Sequence, residues 1–253
     1  MLDIFPPLAI MTAGLAVGLL AGFVKGVVGF ALPVVLMSGL ATLVSPELAL
    51  AGLVVPSVLL NLLQGLRQGP RAAFTSVRRF GRLLAVGFVV LILSAQLVPR
   101  LSEAALFAAL GGPLVLFAVL QLAGWRPAIT ASNRVAEVVA GTASGLFGGL
   151  AGMFGPPMVV YLTAINTEKT EQVRIQGVVF AMGATVFGLA HAVSGLVRPD
   201  TLLFSAAITV PALLGQWAGL RLHDRVNQNL FRTLTLIVLL LCGLNLLRRA
   251  VAG

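Results

Sequence analysis

The sequence predicts an all-α protein that crosses a lipid bilayer several times and consists of two related halves. Three observations predict this class: long apolar stretches, a low content of charge, and a glycine- and proline-rich pattern that occurs twice. Of the 253 residues, 58% are hydrophobic and only 10% are charged, whereas a soluble domain carries about 25% charged residues. The apolar stretches are continuous rather than alternating, which excludes a β-barrel. Helices remain, because lipid offers the backbone no other hydrogen-bond partners.

Ten apolar segments are predicted between short polar separators. They are 8–24, 28–44, 47–66, 82–98, 104–124, 135–148, 152–165, 173–195, 202–220 and 229–248. Residues 8–44 are too long for one crossing at 1.5 Å per helical residue. They form either two crossings or a hairpin that enters and leaves by one face. We favour a helical hairpin whose turn lies inside the protein, and we expect the same at the start of the second half.

An internal repeat relates the two halves of the chain, 1–125 and 126–253. The pattern Gly-x3-Gly-x2-Gly-x3-Pro begins at Gly22 and begins again at Gly145, an offset of 123. Two further matches have nearly the same offset: 52–55 with 177–180 at 125, and 106–107 with 230–231 at 124. Three matches at nearly one offset predict two membrane repeats that form a single integral-membrane domain.

The distribution of basic residues predicts the orientation of the chain, because cytoplasmic loops are rich in Lys and Arg. If the loop from Arg67 to Arg82 lies in the cytoplasm, 12 basic residues lie inside and four outside. The inside set is Arg67, Arg71, Arg78, Arg79, Arg82, Arg126, Arg134, Lys169, Arg174, Arg221, Arg225 and Arg232; the outside set is Arg100, Arg198, Arg248 and Arg249. The halves then have opposite orientations, which predicts the inverted repeats of many secondary transporters. Both termini are predicted to be periplasmic, in a bacterial inner membrane.

The duplicated turns at 22–33 and 145–157 predict broken helices. Within a helix, glycine costs about 1 kcal/mol and proline about 3 kcal/mol, so a break is tolerated only where it is packed in protein or lines a wet cavity. The helix that starts after such a break presents free N–H groups, which attract anions. Two such starts would form an anion site between the repeats. Close helix packing through Gly-x3-Gly is the alternative.

Candidate substrate contacts are of three kinds. Lys25 would supply positive charge, or would instead extend into the lipid headgroups. The glycines would expose backbone and the prolines would fix the breaks. Polar residues in the third segment of each half would donate hydrogen bonds, or would only hold helices together. The full set is Lys25, Gly26, Gly29, Pro33, Asn61, Gln64, Gly149, Gly152, Gly155, Pro156, Gln176 and His191. Arg174 is a candidate gate or a topology-setting charge.

The sequence lacks the residue patterns that several classes of function require. Metalloprotease, P-loop and metal-binding cysteine motifs are absent, and two histidines support no catalytic triad, so we predict no enzyme, cofactor or metal site. The net charge of +9 lies in loops, so we predict no nucleic-acid partner. The acidic residues lie near segment ends, which leaves no carboxylate for proton or sodium coupling and favours potential-driven export. The partners predicted are the bilayer and a small anion; a homo-oligomer is compatible with the sequence but not indicated by it.

Together these features predict a secondary transporter of a small anion that works by alternating access. An uncoupled, channel-like anion pathway and a non-transporting membrane scaffold remain as alternatives. Unitary conductance would identify a channel, and purified scaffold protein would transport nothing in liposomes.

Three stretches carry a resemblance to a known family: the turns at 22–33 and 145–157, AGLVVP at 51–56, and the segment from Arg174 to Gly195 with its His-x3-Gly ending. They resemble the sulfite exporter TauE/SafE family of membrane permeases. The first turn departs from the glycine-rich pattern, since Ala31-Leu32 replaces further glycines. The resemblance implies an exporter of sulfite or an organosulfonate.

Overall fold

The computed structural model describes residues 7–95, 103–125, 133–151, 154–193 and 198–252. Every regular element in these ranges is an α-helix, which confirms the predicted class. The helices are α1 Leu8–Val28, α2 Leu32–Leu40, α3 Pro46–Leu66, α4 Pro70–Arg79, α5 Gly81–Ala95, α6 Glu103–Leu122, α7 Arg134–Ala151, α8 Gly155–Ala164, α9 Lys169–Val193, α10 Pro199–Arg225 and α11 Gln228–Ala252.

Several of these helices match the dimensions of a bilayer. Among the described helices, five are long and apolar enough to cross a membrane: Leu8–Val28, Glu47–Leu66, Lys169–Leu189, Pro199–Arg225 and Gln228–Val251. A span needs about 20 predominantly apolar residues, and each of the five reaches that length. The protein is therefore a multi-pass membrane protein, as predicted.

Two of the differences between the helices and the predicted segments concern the basic loop and the first hairpin. The basic loop between Arg67 and Arg82 contains a helix, α4, on which Ala73 and Ser76 lie one turn apart and are both buried. The arginines lower the mean hydropathy of this stretch, so a hydropathy pattern does not show its short buried face. Helix α1 also continues to Val28, beyond its predicted end at residue 24, so the first hairpin turns at residues 29–31.

The chain divides into two units, and each unit combines parts of both predicted halves. Unit 1 comprises Met1–Ala73 and Val173–Asn227, and unit 2 comprises Phe74–Gln172 and Gln228–Gly253. Unit 1 therefore contains α1, α2, α3, α10 and most of α9. Unit 2 contains α5 to α8 and α11.

In unit 1, α1 packs along α10 through glycines. A row of four glycines, spaced four residues apart from Gly14 to Gly26, is buried along α1. A Cβ atom added at Gly22 would lie 1.9 Å from the carbonyl oxygen of Ala212, and one at Gly26 would lie 2.4 Å from that of Gln216. The two backbones are in direct contact. Gly22 and Gly26 therefore serve close helix packing, the alternative interpretation of the motif, and the helix is not broken there.

Unit 2 contains a corresponding contact between α5 and α7. A Cβ atom added at Gly145 would lie 2.4 Å from the carbonyl oxygen of Gly87. Gly145 follows Gly22 by 123 residues, and Ala212 follows Gly87 by 125 residues. The same kind of backbone contact thus occurs in each unit, and the residues that form it are separated by the offsets of the sequence match.

A serine of α10 makes a proline in the middle of α3 tolerable. Pro56 has no N–H, so the carbonyl of Gly52 loses its helical donor. Ser205 Oγ donates to that carbonyl at 3.2 Å and accepts from the N–H of Val55 at 3.1 Å. An unsatisfied backbone group costs several kcal/mol in lipid, so this contact fixes where α10 packs on α3.

We expect Ser205→Ala to lower the apparent melting temperature of the purified protein more than Ser144→Ala does. Both serines are 0% exposed, but the Ser144 hydroxyl has no hydrogen-bond partner in the described structure. Only Ser205→Ala removes a hydrogen bond, which leaves a buried carbonyl unsatisfied at a cost of about 1–3 kcal/mol. Differential scanning fluorimetry measures both variants. Equal melting temperatures would contradict the role assigned to Ser205.

Candidate functional site

The first hairpin turns through two residues with left-handed backbone. Gly29 has φ 87° and donates its N–H to the carbonyl of Lys25 at 2.7 Å, which ends α1. Ala31 has φ 73°, a conformation that costs an L-residue about 1–2 kcal/mol. Pro33 lies in the first turn of α2, where its missing N–H is tolerated, and no side chain caps this helix start. The interruption between α1 and α2 is therefore a defined turn, in which the backbone of Ala31 is strained.

Lys25 lies in the last turn of α1 and is 1% exposed. Its ammonium donates to Oδ1 of Asn61 in α3. Among the described residues, no Asp or Glu carboxylate forms an ion pair with it. An ammonium has three N–H donors, and a buried charge is costly unless it is paired. Lys25 is thus covered by protein rather than extended to the surface, and within the described ranges its charge has no carboxylate partner.

Two glutamines hold the turn that follows Lys25. Gln64 Nε2 donates to the carbonyl of Gly29 at 2.9 Å and to that of Val173 at 2.8 Å. The amide of Gln176 faces the same turn, and with its nitrogen turned inward it donates to the carbonyls of Val28 and Gly29 at 3.2 Å each. Both glutamines are buried, and Gln64 Oε1 has no hydrogen-bond partner within the described ranges.

Helix α10 contributes two more buried polar side chains. Gln216 Nε2 donates to the carbonyl of Leu60 at 2.9 Å, and Nδ1 of His223 lies 3.1 Å from the carbonyl of Val27. Neither was assigned to the site from the sequence. Gln216 was visible as a polar residue in an apolar segment, whereas His223 lies beyond the predicted end of that segment at residue 220. We call Lys25, Asn61, Gln64, Gln176, Gln216 and His223 the polar cluster.

Exposed ionic contacts lie beside the polar cluster, at the ends of the same helices. Arg67 follows α3 and forms a two-pronged ion pair with Asp224, with N–O distances of 2.9 and 2.6 Å. This hydrogen bonding raises the pKa of Arg67 above its ordinary value, so the guanidinium stays charged. Arg174, the candidate gate, donates to Oε1 of Gln68 at 2.8 Å. These contacts tie the start of α9 and the end of α10 to the end of α3.

The structure brings together one part of the predicted site. Lys25, Gly29, Asn61, Gln64 and Gln176 all meet in unit 1, and Gly26 and Pro33 flank them on α1 and α2. Of the other predicted residues, Gly149 belongs to α7, and Gly155 and Pro156 belong to the start of α8, all in unit 2; His191 belongs to α9, and its side chain is not described. Gly152 lies outside the described residues.

The chain matches one known protein family over most of its length. The family model described as "Sulfite exporter TauE/SafE" matches residues 14–246, which is most of the chain. A search of curated proteins and a search of solved structures each found no match to the chain. The matched range contains most of the hairpin, the break after α1 and every member of the polar cluster. The chain therefore belongs to the sulfite exporter TauE/SafE family, a family of membrane transporters.

Proposed function

We propose that this protein is a secondary transporter that exports sulfite or an organosulfonate by alternating access. Its family supports the transport of sulfite-like anions. The main structural support for the proposal is the buried ammonium of Lys25. This ammonium has a neutral partner, and it has no carboxylate partner among the described residues. A bound oxyanion would supply the missing negative charge.

The surroundings of Lys25 suit an anion that binds and leaves. Asn61 donates its own amide to the carbonyl of Ser57 at 2.7 Å, which keeps Oδ1 directed at Lys25. Two N–H donors of the ammonium therefore remain for a substrate. The start of α2 follows Gly29 closely and carries uncapped amides, where a helix dipole attracts negative charge. Because no carboxylate in the described part of the chain pairs with Lys25, an anion would meet no competitor there.

We propose that alternating access uses two inverted repeats, and contacts between α3 and α9 in unit 1 support this. A Cβ atom added at Gly65 would lie 2.7 Å from the amide nitrogen of Val178, and one at Gly188 would lie 3.1 Å from Cγ1 of Val54. Gly188 follows Gly65 by 123 residues, and Val178 follows Val54 by 124. Gly188 is thus the counterpart of Gly65, and Val178 is the counterpart of Val54. Each contact joins a glycine of one half to the counterpart valine of the other half, as expected for an antiparallel pair of equivalent helices. We keep the periplasmic termini and the bacterial inner membrane as parts of this proposal.

The membrane potential is the driving force that we propose. The ion pairs of the described acidic residues join Arg67 to Asp224, Arg79 to Glu171 and Arg82 to Glu137. These carboxylates are engaged by arginines outside the polar cluster. An inside-negative potential contributes about 2.3 kcal/mol per charge per 100 mV to anion export, so export needs no coupling carboxylate.

Counterflow in liposomes tests the proposed function. Vesicles that contain the purified protein are loaded with unlabelled sulfite, and the uptake of labelled sulfite is followed with sulfonates, carboxylates and inorganic anions as competitors. We expect transient accumulation that sulfite or a sulfonate supports best. Rates equal to those of protein-free vesicles for every anion would favour the scaffold, and unitary conductance in planar bilayers would favour a channel.

We expect Lys25→Ala to slow counterflow by about tenfold or more, because a hydrogen bond to a charged group contributes about 1.5–3 kcal/mol. Lys169→Ala is the matched control, since Lys169 is the only other lysine. The amount of purified protein and its melting temperature are compared for both variants. Wild-type counterflow in Lys25→Ala would remove Lys25 from the substrate site.

We expect efflux from sulfite-loaded vesicles to accelerate as the interior is made more negative, with the potential set by potassium gradients and valinomycin. Each 100 mV changes the driving force on a monovalent anion by about 2.3 kcal/mol. The same vesicles without valinomycin and with equal potassium on both sides provide the control. Efflux that does not respond to the imposed potential would exclude potential-driven export.

A further inference from the structure

Helix α10 has one face packed against unit 1 and an opposite face that is exposed. Phe204 and Ala212 lie on the packed face and are at most 1% exposed. The exposed face carries large apolar side chains that are 55–61% exposed: Leu203, Val210, Leu214 and Trp217. They are three, four or seven residues apart, which places them on one side of a helix. In a multi-pass membrane protein, such a stripe contacts lipid acyl chains.

The charged residues of α10 mark where this stripe leaves the hydrocarbon. No charged residue lies between Asp200 and Arg221, which are 21 residues apart. At 1.5 Å per helical residue they are separated by about 32 Å, close to the ~30 Å thickness of the hydrocarbon core. When α10 crosses the bilayer, Arg221 therefore lies at the level of the lipid phosphates. Trp217, one turn earlier, lies at the boundary where tryptophan is enriched.

The side chains of Trp217 and Arg221 are stacked. The guanidinium carbon of Arg221 lies 3.6 Å from the centroid of the Trp217 ring, which is a cation–π contact. This contact uses the flat face of the guanidinium, whereas its N–H donors point outward in the plane of the group. Among the described residues, no carboxylate forms an ion pair with Arg221. The ring thus orders a planar fork that matches two oxygens of a phosphate.

The end of unit 1 that contains this stack is basic. Its arginines include Arg67, Arg174, Arg221 and Arg225. Of the described acidic residues of unit 1, only Asp224 lies at this end, because Glu47 and Asp200 lie at the starts of α3 and α10. A zwitterionic lipid would bring its own cation to this surface, whereas an anionic lipid would bring only negative charge. The charge of this end therefore favours an anionic lipid.

We propose that Trp217 and Arg221 form a binding site for an anionic phospholipid. Arg221 binds the phosphate through the edge of its guanidinium, Trp217 holds that guanidinium in place, and one acyl chain lies along Val210 and Leu214. The site is on the outer surface of α10 and needs no cavity. It is independent of the proposed transport of sulfite, since it concerns a different face of the protein and a different ligand.

Quenching of tryptophan fluorescence by brominated lipids tests this site. Trp125 is the only other tryptophan, so Trp125→Phe makes Trp217 the single reporter in the full chain. The protein is reconstituted in phosphatidylcholine that contains equal fractions of either brominated phosphatidylglycerol or brominated phosphatidylcholine. We expect stronger quenching by brominated phosphatidylglycerol, with a relative lipid-binding constant of about fivefold. Arg221→Gln in the same background should bring that ratio close to one.

Arg225→Gln is the matched control, because it removes the same charge one turn further along α10, and among the described residues no aromatic ring stacks on Arg225. We expect it to keep most of the preference. Equal quenching by the two lipids in the Trp125→Phe parent would overturn the site. So would a preference that Arg221→Gln leaves unchanged, or one that both arginine variants lower equally. Melting temperatures check that the variants are folded. Because quenching requires no transported anion, its failure leaves the proposed transport standing, and failed counterflow leaves the lipid site standing.

Discussion

The site depends on one physical constraint, the burial of an ammonium group opposite a neutral acceptor. Lys25 is covered by protein, and Asn61 provides an oxygen but no charge. A permanent carboxylate beside Lys25 would stabilise the empty site and compete with any passenger, since a buried charge strongly favours pairing. In the function that we propose, a site with no carboxylate partner among the described residues stays receptive to an anion. The rest of unit 1 therefore has to hold the ammonium without neutralising it.

Glycine packing and the proposed anion site depend on the same stretch of α1. Gly22 and Gly26 allow α10 to touch the backbone of α1. That approach brings Gln216 and His223 to the end of α1, where His223 meets the carbonyl of Val27. Gly29 then turns the chain, and Gln64 fixes its carbonyl. One glycine-rich motif thus supplies the packing surface along α1 and the break beyond it.

The sequence was sufficient to predict the helical class, the first hairpin and five residues that meet around its turn, because glycine, proline and isolated polar residues are local signals. It could not predict that α1 continues past Gly22 and Gly26, since their low helix propensity is overridden by contact with α10. Long-range packing also decides that each unit combines helices of both halves.

The chain has only two lysines, Lys25 and Lys169, and this permits a direct observation of the buried ammonium. Protein labelled with 15N at the lysine Nζ positions and reconstituted in lipid should give two side-chain signals by solid-state NMR, assigned with Lys169→Arg. We expect saturating sulfite to shift the Lys25 ammonium signal. A Lys25 signal that stays unchanged at sulfite concentrations that saturate counterflow would contradict direct contact between this ammonium and the transported anion.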